Sequence, residues 1–269
     1  MKTSNVISLV ETFAPSGYAA SWDNCGVQIV GPEREIKKVA VALDPMPHVI
    51  SRALDWGADF ILTHHPLAID QRLPAKLDWF RDVMKQVLCA DVTLCAAHTS
   101  LDVQFGGVVS WLGRELELQD LKVLDVVAEN DAGEILGYGC IGDLESVLPL
   151  ENFVERVALA TGCEVIAVSG PAPEKVKRVA MCPGSGSSLM DKAFAQGADV
   201  FITGDVKYHS AQESVGAVLD VGHFSLEEEM MRRFAVVLEQ NLEDGVEVRF
   251  FTGHNPFAYY VQGKGVCKS

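Results

Sequence analysis

The chain has 269 residues, 48% of them hydrophobic, enough to bury one large core or two of ordinary size. With 22 basic and 37 acidic residues its formal charge is −15, a self-repelling surface that argues against a partner held through nucleic-acid phosphates. No stretch approaches the apolar length of a membrane span, Glu11 interrupts the apolar start before a signal-peptide core can form, and the seven cysteines contain no Cys-x2-Cys pair, so free thiols in a cytoplasmic protein are expected.

Val6, Ile7, Leu9, Val10 and Phe13 recur at helical spacing and predict a helix over 4–14, ended by Pro15. In the polar segment that follows, Asp23 and Asn24 either meet a ligand or close a turn through side-chain to backbone bonds. Ile36 to Leu43 reads as a buried strand, and Asp44-Pro45-Met46-Pro47 as the turn into a helix from His48 to Trp56. His48, in the first helical turn, is read as a surface or capping residue. The apolar run Gly57 to Thr63 then ends in His64-His65-Pro66. Neighbouring side chains on an extended strand point to opposite faces, but where strand becomes loop the backbone rotates and both rings can face one cavity. Two neighbouring metal ions, each taking one ring, suit that geometry better than a single ion; the alternative is a His-His turn with no ligand role. A helix is expected over 74–88, with Leu77, Phe80, Val83, Met84 and Val87 on one face, and then a strand from Val92 to Ala97 that runs into His98. In a parallel sheet that strand end lies beside the Thr63 end, which brings His98 and Asp102 within reach of His64 and His65. Asp102 suits a hard or borderline divalent ion, or else caps the helix beyond Gly106-Gly107, and His98 either ligates or orients Asp102.

Short β-like runs at Leu121–Leu124 and Ile135–Gly139 and an amphipathic helix over 151–160 open a second unit. The expected organisation is α/β, with a first domain over 1–125 joined by 220–269 and a second over 126–219. Val176 to Met181 is a strand, and the turn after it offers Gly184, Ser185 and Gly186 before a helix over 189–196. That turn either holds an anion on backbone N–H groups or packs closely; it lacks the lysine of a Walker A loop. Val200 to Thr203 leads into Asp205, Lys207, Tyr208 and His209, a candidate substrate wall. His223 and Glu227 stand one helical turn apart, with Glu228 and Glu229 read as a solvated face and Met230, Met231, Phe234, Val237 and Leu238 as the buried one. Val246 to Phe251 is a closing strand, after which His254 lines the cavity or merely returns the chain to the sheet.

The chain also repeats itself. Lys37-Lys38-Val39-Ala40 returns as Lys177-Arg178-Val179-Ala180, and Gly57-Ala58-Asp59 with Thr63 returns as Gly197-Ala198-Asp199 with Thr203, all at one constant offset. His98-Thr99-Ser100-Leu101-Asp102 is echoed at a shorter offset by His223-Phe224-Ser225-Leu226-Glu227. Such self-similarity predicts an internal duplication into two similar α/β domains that differ where chemistry differs, since His64-His65 correspond to Gly204-Asp205.

Trp22-Asp23-Asn24-x-Gly-Val-Gln, Gly57-Ala58-Asp59 with His64-His65-Pro66, Ala97-His98-Thr99-x-Leu-Asp102, Thr203-Gly204-Asp205 with His209, and Gly222-His223-x3-Glu227 together resemble the NIF3-like family, also labelled GTP cyclohydrolase type 2 homologues. The resemblance covers essentially the whole chain. It implies a dinuclear metal centre in a cleft between two similar α/β domains, within a ring-shaped homohexamer. Carried over, the ligands are His64, His65, Asp102, His223 and Glu227, with Glu227 bridging two divalent ions per subunit. The length leaves no room for the extra central domain of some members, and His254-Asn255 stands where the commoner ending has threonine and aspartate.

Three imidazoles and two carboxylates are too few donors to saturate two ions without a bridge, and open positions are what hydrolytic metal sites keep. Zinc, iron and manganese all suit this ligand set. The chemistry expected is hydrolysis of a nucleotide or related phosphorylated small molecule, with His98 or His209 moving a proton and Asp23, Asn24, Gly184, Ser185, Gly186, Asp205 and Lys207 contacting substrate. The competing readings are a metal-binding or metal-delivery protein without turnover and a ring that clamps nucleic acid, which the acidic charge opposes.

Overall fold

A computed structural model describes residues 1–262 and 265–268. The chain divides into two compact units, residues 1–101 with 230–254 and residues 102–229 with 255–269.

The first unit begins with α1 (Thr3–Phe13), β1 (Gly26–Ile29), β2 (Lys38–Ala42), α2 (Pro47–Trp56), β3 (Phe60–Thr63), α3 (Trp79–Ala90) and β4 (Thr93–Ala96); the short α4 (Thr99–Asp102) ends this passage. Every residue of β3 and β4 is buried, as strands covered on both faces require. Helix α2 starts on Pro47, whose missing N–H costs nothing there, and stops at Gly57, whose positive φ lets its N–H return to Ala53 and Leu54. Ile61 and Leu94 pack with Val49, Ile50 and Ala53 of α2 and Phe80, Val83 and Val87 of α3. Each such fully buried side chain contributes about 1.5–3 kcal/mol. Helix α3 starts five residues later than expected, because the Asp78 carboxylate accepts from the Arg81 N–H and sets the cap there. Leu77 is therefore outside the helix and 87% exposed instead of facing the core.

The second unit contains α5 (Trp111–Glu115), β5 (Gln119–Glu129), β6 (Ile135–Pro149), α6 (Leu150–Thr161), β7 (Ala167–Ser169), β8 (Lys175–Met181), α7 (Met190–Ala195), β9 (Val200–Thr203), α8 (Tyr208–Glu213) and β10 (Ala217–Asp220). Its sheet runs β5-β6-β8-β9-β10-β7, with parallel pairing of β8 to β9 and β9 to β10 and antiparallel pairing elsewhere. Phe201 and Ala180 pack with Met190, Ala193, Ile141 and Val218 in its core. Strand β5 pairs with β6, so the stretch from Gln119 to Glu129 belongs to this sheet.

Helix α9 (His223–Asn241) starts in the second unit and ends in the first, where β11 (Glu247–Phe250) adds a parallel edge beside β2. The first sheet thus runs β1-β4-β3-β2-β11, with only β1 antiparallel. A separate hairpin, β12 (Ala258–Val261) with β13 (Gly265–Lys268), follows; the side chain of Cys267 lies outside the described residues. Among the described residues no helix is long and apolar enough to cross a membrane.

One detail is the same in both sheets. The Asp59 carboxylate accepts from the N–H groups of Lys37 and Lys38, and Asp199 accepts from those of Lys177 and Arg178, so each pins the entry of one strand to the start of the next.

Candidate metal centre

The parallel register sets Thr63 opposite Ala96, so the chain leaves β3 and β4 at the same edge of the sheet. Beyond Thr63 the N–H groups of His64 and His65 both reach the Leu43 carbonyl, at 3.1 and 3.0 Å, while the Thr63 hydroxyl donates to the His65 carbonyl at 2.8 Å. This tight turn abolishes strand alternation and brings the His64 and His65 ring centroids to 5.1 Å. His98, leaving β4, stands 5.1 Å from the first ring and 5.4 Å from the second. The three side chains offer ligand nitrogens that all lie within 4.8 Å of one another.

Each ring is oriented through Nδ1. His64 Nδ1 lies 2.7 Å from the Ala97 carbonyl, which can only accept, so the proton sits on Nδ1 and the lone pair on Nε2. His65 Nδ1 lies 2.7 Å from Asp44 Oδ1, and His98 Nδ1 lies 2.9 Å from Asp23 Oδ1. Carboxylate or carbonyl acceptors behind imidazoles are the arrangement by which proteins fix histidine tautomers for a metal.

The Asp23 side chain, read as a turn or ligand-contact residue, is fully buried and stands behind His98 as its partner. Burial raises its pKa, but hydrogen bonds from Cys25, His98 and Thr99 outweigh that and hold the carboxyl well below the usual range. Burial and then the neighbouring His64 ring hold His98 below the usual imidazole range, against the pull of Asp23. The two shifts agree on one state, a neutral ring donating to a carboxylate, rather than an ion pair. Asn24, the other residue expected near substrate, donates to the Ala68 carbonyl at 2.7 Å and closes the loop.

In the second unit His223 Nδ1 lies 2.7 Å from Asp205 Oδ2, and its Nε2 lies 2.7 Å from Glu227 Oε2 one helical turn on. Asp205, read as part of a substrate wall, thus orients His223. Glu227 is 4% exposed. Glu228 is buried too, against the expected solvated face, because Leu226, Met230 and Met231 around it are also enclosed and the early turns of α9 present little surface. Gly184 is built to meet this pair: a Cβ there would sit 2.1 Å from Glu227 Oε1 and 3.5 Å from His223 Nε2, and its φ is +65°. The neighbouring Gly186 N–H is taken by the Thr203 hydroxyl at 2.9 Å. The Gly184-Ser185-Gly186 turn therefore packs on Glu227, with Ser185 alone of the three exposed. Burial and then the charges of Asp102 and Glu227 push the Cys182 thiol up, which places both carboxylates within electrostatic reach of that sulfur. Lys207, Tyr208 and His209 are exposed, with the last two rings 5.3 Å apart.

Sequence reasoning missed Asp44 and the Ala97 carbonyl. Asp44 had one available signal: it follows β2, the strand beside β3, and so reaches the same sheet edge as His65.

One buried and three half-buried imidazoles, a buried glutamate on His223 and further carboxylates form a donor set that suits divalent transition metals. The fold and these side chains define an α/β protein with two His/Glu metal-ligand clusters, one in each unit being centred on His64-His65 and on His223-Glu227. The chain belongs to the Duf34/NIF3 (NGG1p interacting factor 3) family, whose model matches residues 1–256. It is 32% identical over 252 residues to a Methanocaldococcus jannaschii protein named GTP cyclohydrolase 1 type 2 homolog, covering 90% of this chain and 97% of that one. A Streptomyces coelicolor protein of the same name is 31% identical over 233 residues, covering 84% and 81%. Among solved structures, reduced HcgD from Methanocaldococcus jannaschii is 30% identical with a TM-score of 0.77, over 93% of this chain and 98% of that chain. A Bacillus cereus protein related to NIF3 shares the fold at a TM-score of 0.87 and 22% identity, over 96% and 99%.

Proposed function

We propose that His64, His65, Asp102, His223 and Glu227 hold two divalent ions, zinc, iron or manganese, with Glu227 common to both, and that the protein is a metal-dependent hydrolase of a nucleotide or related phosphorylated small molecule. The observation that carries this reading is the uniform anchoring of His64, His65, His98 and His223 through Nδ1 by a carbonyl or carboxylate. Such anchoring turns Nε2 of His64, His65 and His223 into the ligating atom and raises its basicity, and leaves Nε2 of His98 to handle a proton. The names of the relatives support a nucleotide as the class of substrate to try first.

When bound, the ions supply Lewis-acid activation of water and of the bond to be broken. The chain's own groups do the rest. Asp44, Asp23 and Asp205 hold His65, His98 and His223 in one tautomer, His98 holds or moves a proton at Nε2, and Lys207 and His209 on the exposed segment after β9 meet the anionic part of the substrate. The two units are read as duplicated domains with the metal centre in the cleft between them, in a cytoplasmic homohexamer; the paired roles of Asp59 and Asp199 support the duplication.

Restoring zinc, iron or manganese separately to the protein and screening nucleotides and phosphodiesters tests the reading. Turnover that depends on one metal supports it. Tight, stoichiometric metal without turnover on any of these compounds would favour a metal-carrying role instead. His98→Gln separates two duties of that ring, because a lost ligand lowers metal content whereas a lost proton carrier lowers turnover alone.

A further inference from the structure

Away from the histidine cluster, the first unit contains an open cavity of about 300 Å³ lined by His48, Arg52, Gly253 and His254. Three of these four side chains are basic, in a chain of formal charge −15. His48 and Arg52 stand one turn apart on α2, with His48 in the first turn, where the helix dipole is positive and no side chain caps the N-terminus. Gly253 and His254 follow β11, which is parallel to β2 and next to it, so the cavity opens at the same sheet edge from which Asp44 reaches His65.

Arg52 is held in place and not consumed. One terminal nitrogen donates to the Thr252 carbonyl at 2.9 Å, and the guanidinium carbon lies 5.8 Å from the Phe251 ring centroid. Among the described residues Arg52 forms no ion pair with a carboxylate, and His48 and His254 make no side-chain hydrogen bond. A positioned guanidinium with unused N–H groups, two imidazoles and a helix N-terminus around one small volume form the chemistry that recognises a tetrahedral oxyanion.

We infer that this cavity is a phosphate-binding site, separate from the metal ligands, in which Arg52 is the anchor and His48 and His254 complete the shell. Its occupant is a phosphoryl group, either free inorganic phosphate or the phosphate end of a larger small molecule. The site does not require that the metal centre be catalytic.

The test is calorimetric titration of the full-length protein, as purified, with inorganic phosphate and separately with a nucleoside monophosphate. Wild type should bind phosphate saturably. Arg52→Gln should weaken it about tenfold or more, the loss of a charge-assisted contact, His254→Gln should weaken it less, and Arg52→Lys should retain part of it. The Arg52-dependent part of phosphate binding should persist in Glu227→Ala, which removes a proposed metal ligand, so failure here is distinguishable from failure of the hydrolase reading. In Glu227→Ala, where the proposed metal centre is removed, Arg52-dependent binding that is tighter for the nucleotide than for phosphate identifies the larger molecule as occupant, and equal binding identifies free phosphate. Absence of saturable binding to wild type, or binding lost in Glu227→Ala and kept in Arg52→Gln, would overturn the proposal. Arg52 is exposed, and an unchanged melting temperature for its variants excludes misfolding as the cause.

Discussion

At the scale of single residues, the centre is controlled by groups that are not themselves proposed ligands. Asp44 touches only the far nitrogen of His65, yet removing it frees that ring to rotate and to change tautomer. Asp44→Ala should weaken metal binding by about 10–100-fold, read by competition with a chromophoric chelator, with little change in the fold. An unaltered affinity would mean that His65 is not a ligand. Gly184→Ala is the steric counterpart. The added methyl meets Glu227 Oε1 and the backbone is in the left-handed region, so roughly 2 kcal/mol or more of stability should be lost, together with metal.

The Asp23–His98 pair gives the folded state a signature in pH. Folded Asp23 titrates below the usual carboxylate range, so its stabilisation is complete above about pH 4 and is lost as pH falls toward its folded value. Folded His98 resists protonation, whereas the unfolded imidazole charges below about pH 6.5, so acidification from neutrality favours the unfolded chain through this residue as well. Urea midpoints of metal-free protein should therefore decline from about pH 6.5 downward, and Asp23→Asn should flatten the part of that decline below about pH 4. The histidines were legible from adjacency and from the family motif. The role of Asp23 was not, because its closeness to His98 is a contact between distant parts of the chain that no local spacing records.

At the scale of elements, strands β2, β3, β4 and β9 could be read directly, since short continuous apolar runs are what doubly covered strands require, whereas β8, broken by Lys177 and Arg178, was legible as the repeat of β2. The long β5–β6 hairpin was legible only as short fragments. Gly137 within β6 looks like a turn residue, but a Cβ there would lie 2.0 Å from the Asp125 carbonyl oxygen, so this glycine permits close strand approach and does not end the strand. The start of α3 was misplaced because the apolar spacing from Leu77 onward continues past the Asp78 cap, and capping decided the boundary. The twin carboxylates offer an element-level test. Asp59→Ala and Asp199→Ala each orphan two backbone N–H groups at a strand entry, and each should cost about 1–3 kcal/mol in denaturant unfolding. A large loss in one unit with none in the other would argue against equivalent roles.

For the molecule as a whole, an acidic chain that concentrates imidazoles and a buried glutamate at the edges of two sheets is organised to hold cations. Carboxylates gathered in such a field need positive charge to offset them, and divalent ions held there would supply it. The proposed pair of ions depends on Glu227 as a common ligand. Metal analysis of anaerobically purified protein, comparing wild type with His65→Ala and Glu227→Ala, addresses it most directly. Two divalent ions per chain are expected in wild type, loss of mainly one in His65→Ala, and loss of both in Glu227→Ala; two ions retained at full occupancy in Glu227→Ala, or no stoichiometric metal in wild type, would contradict it.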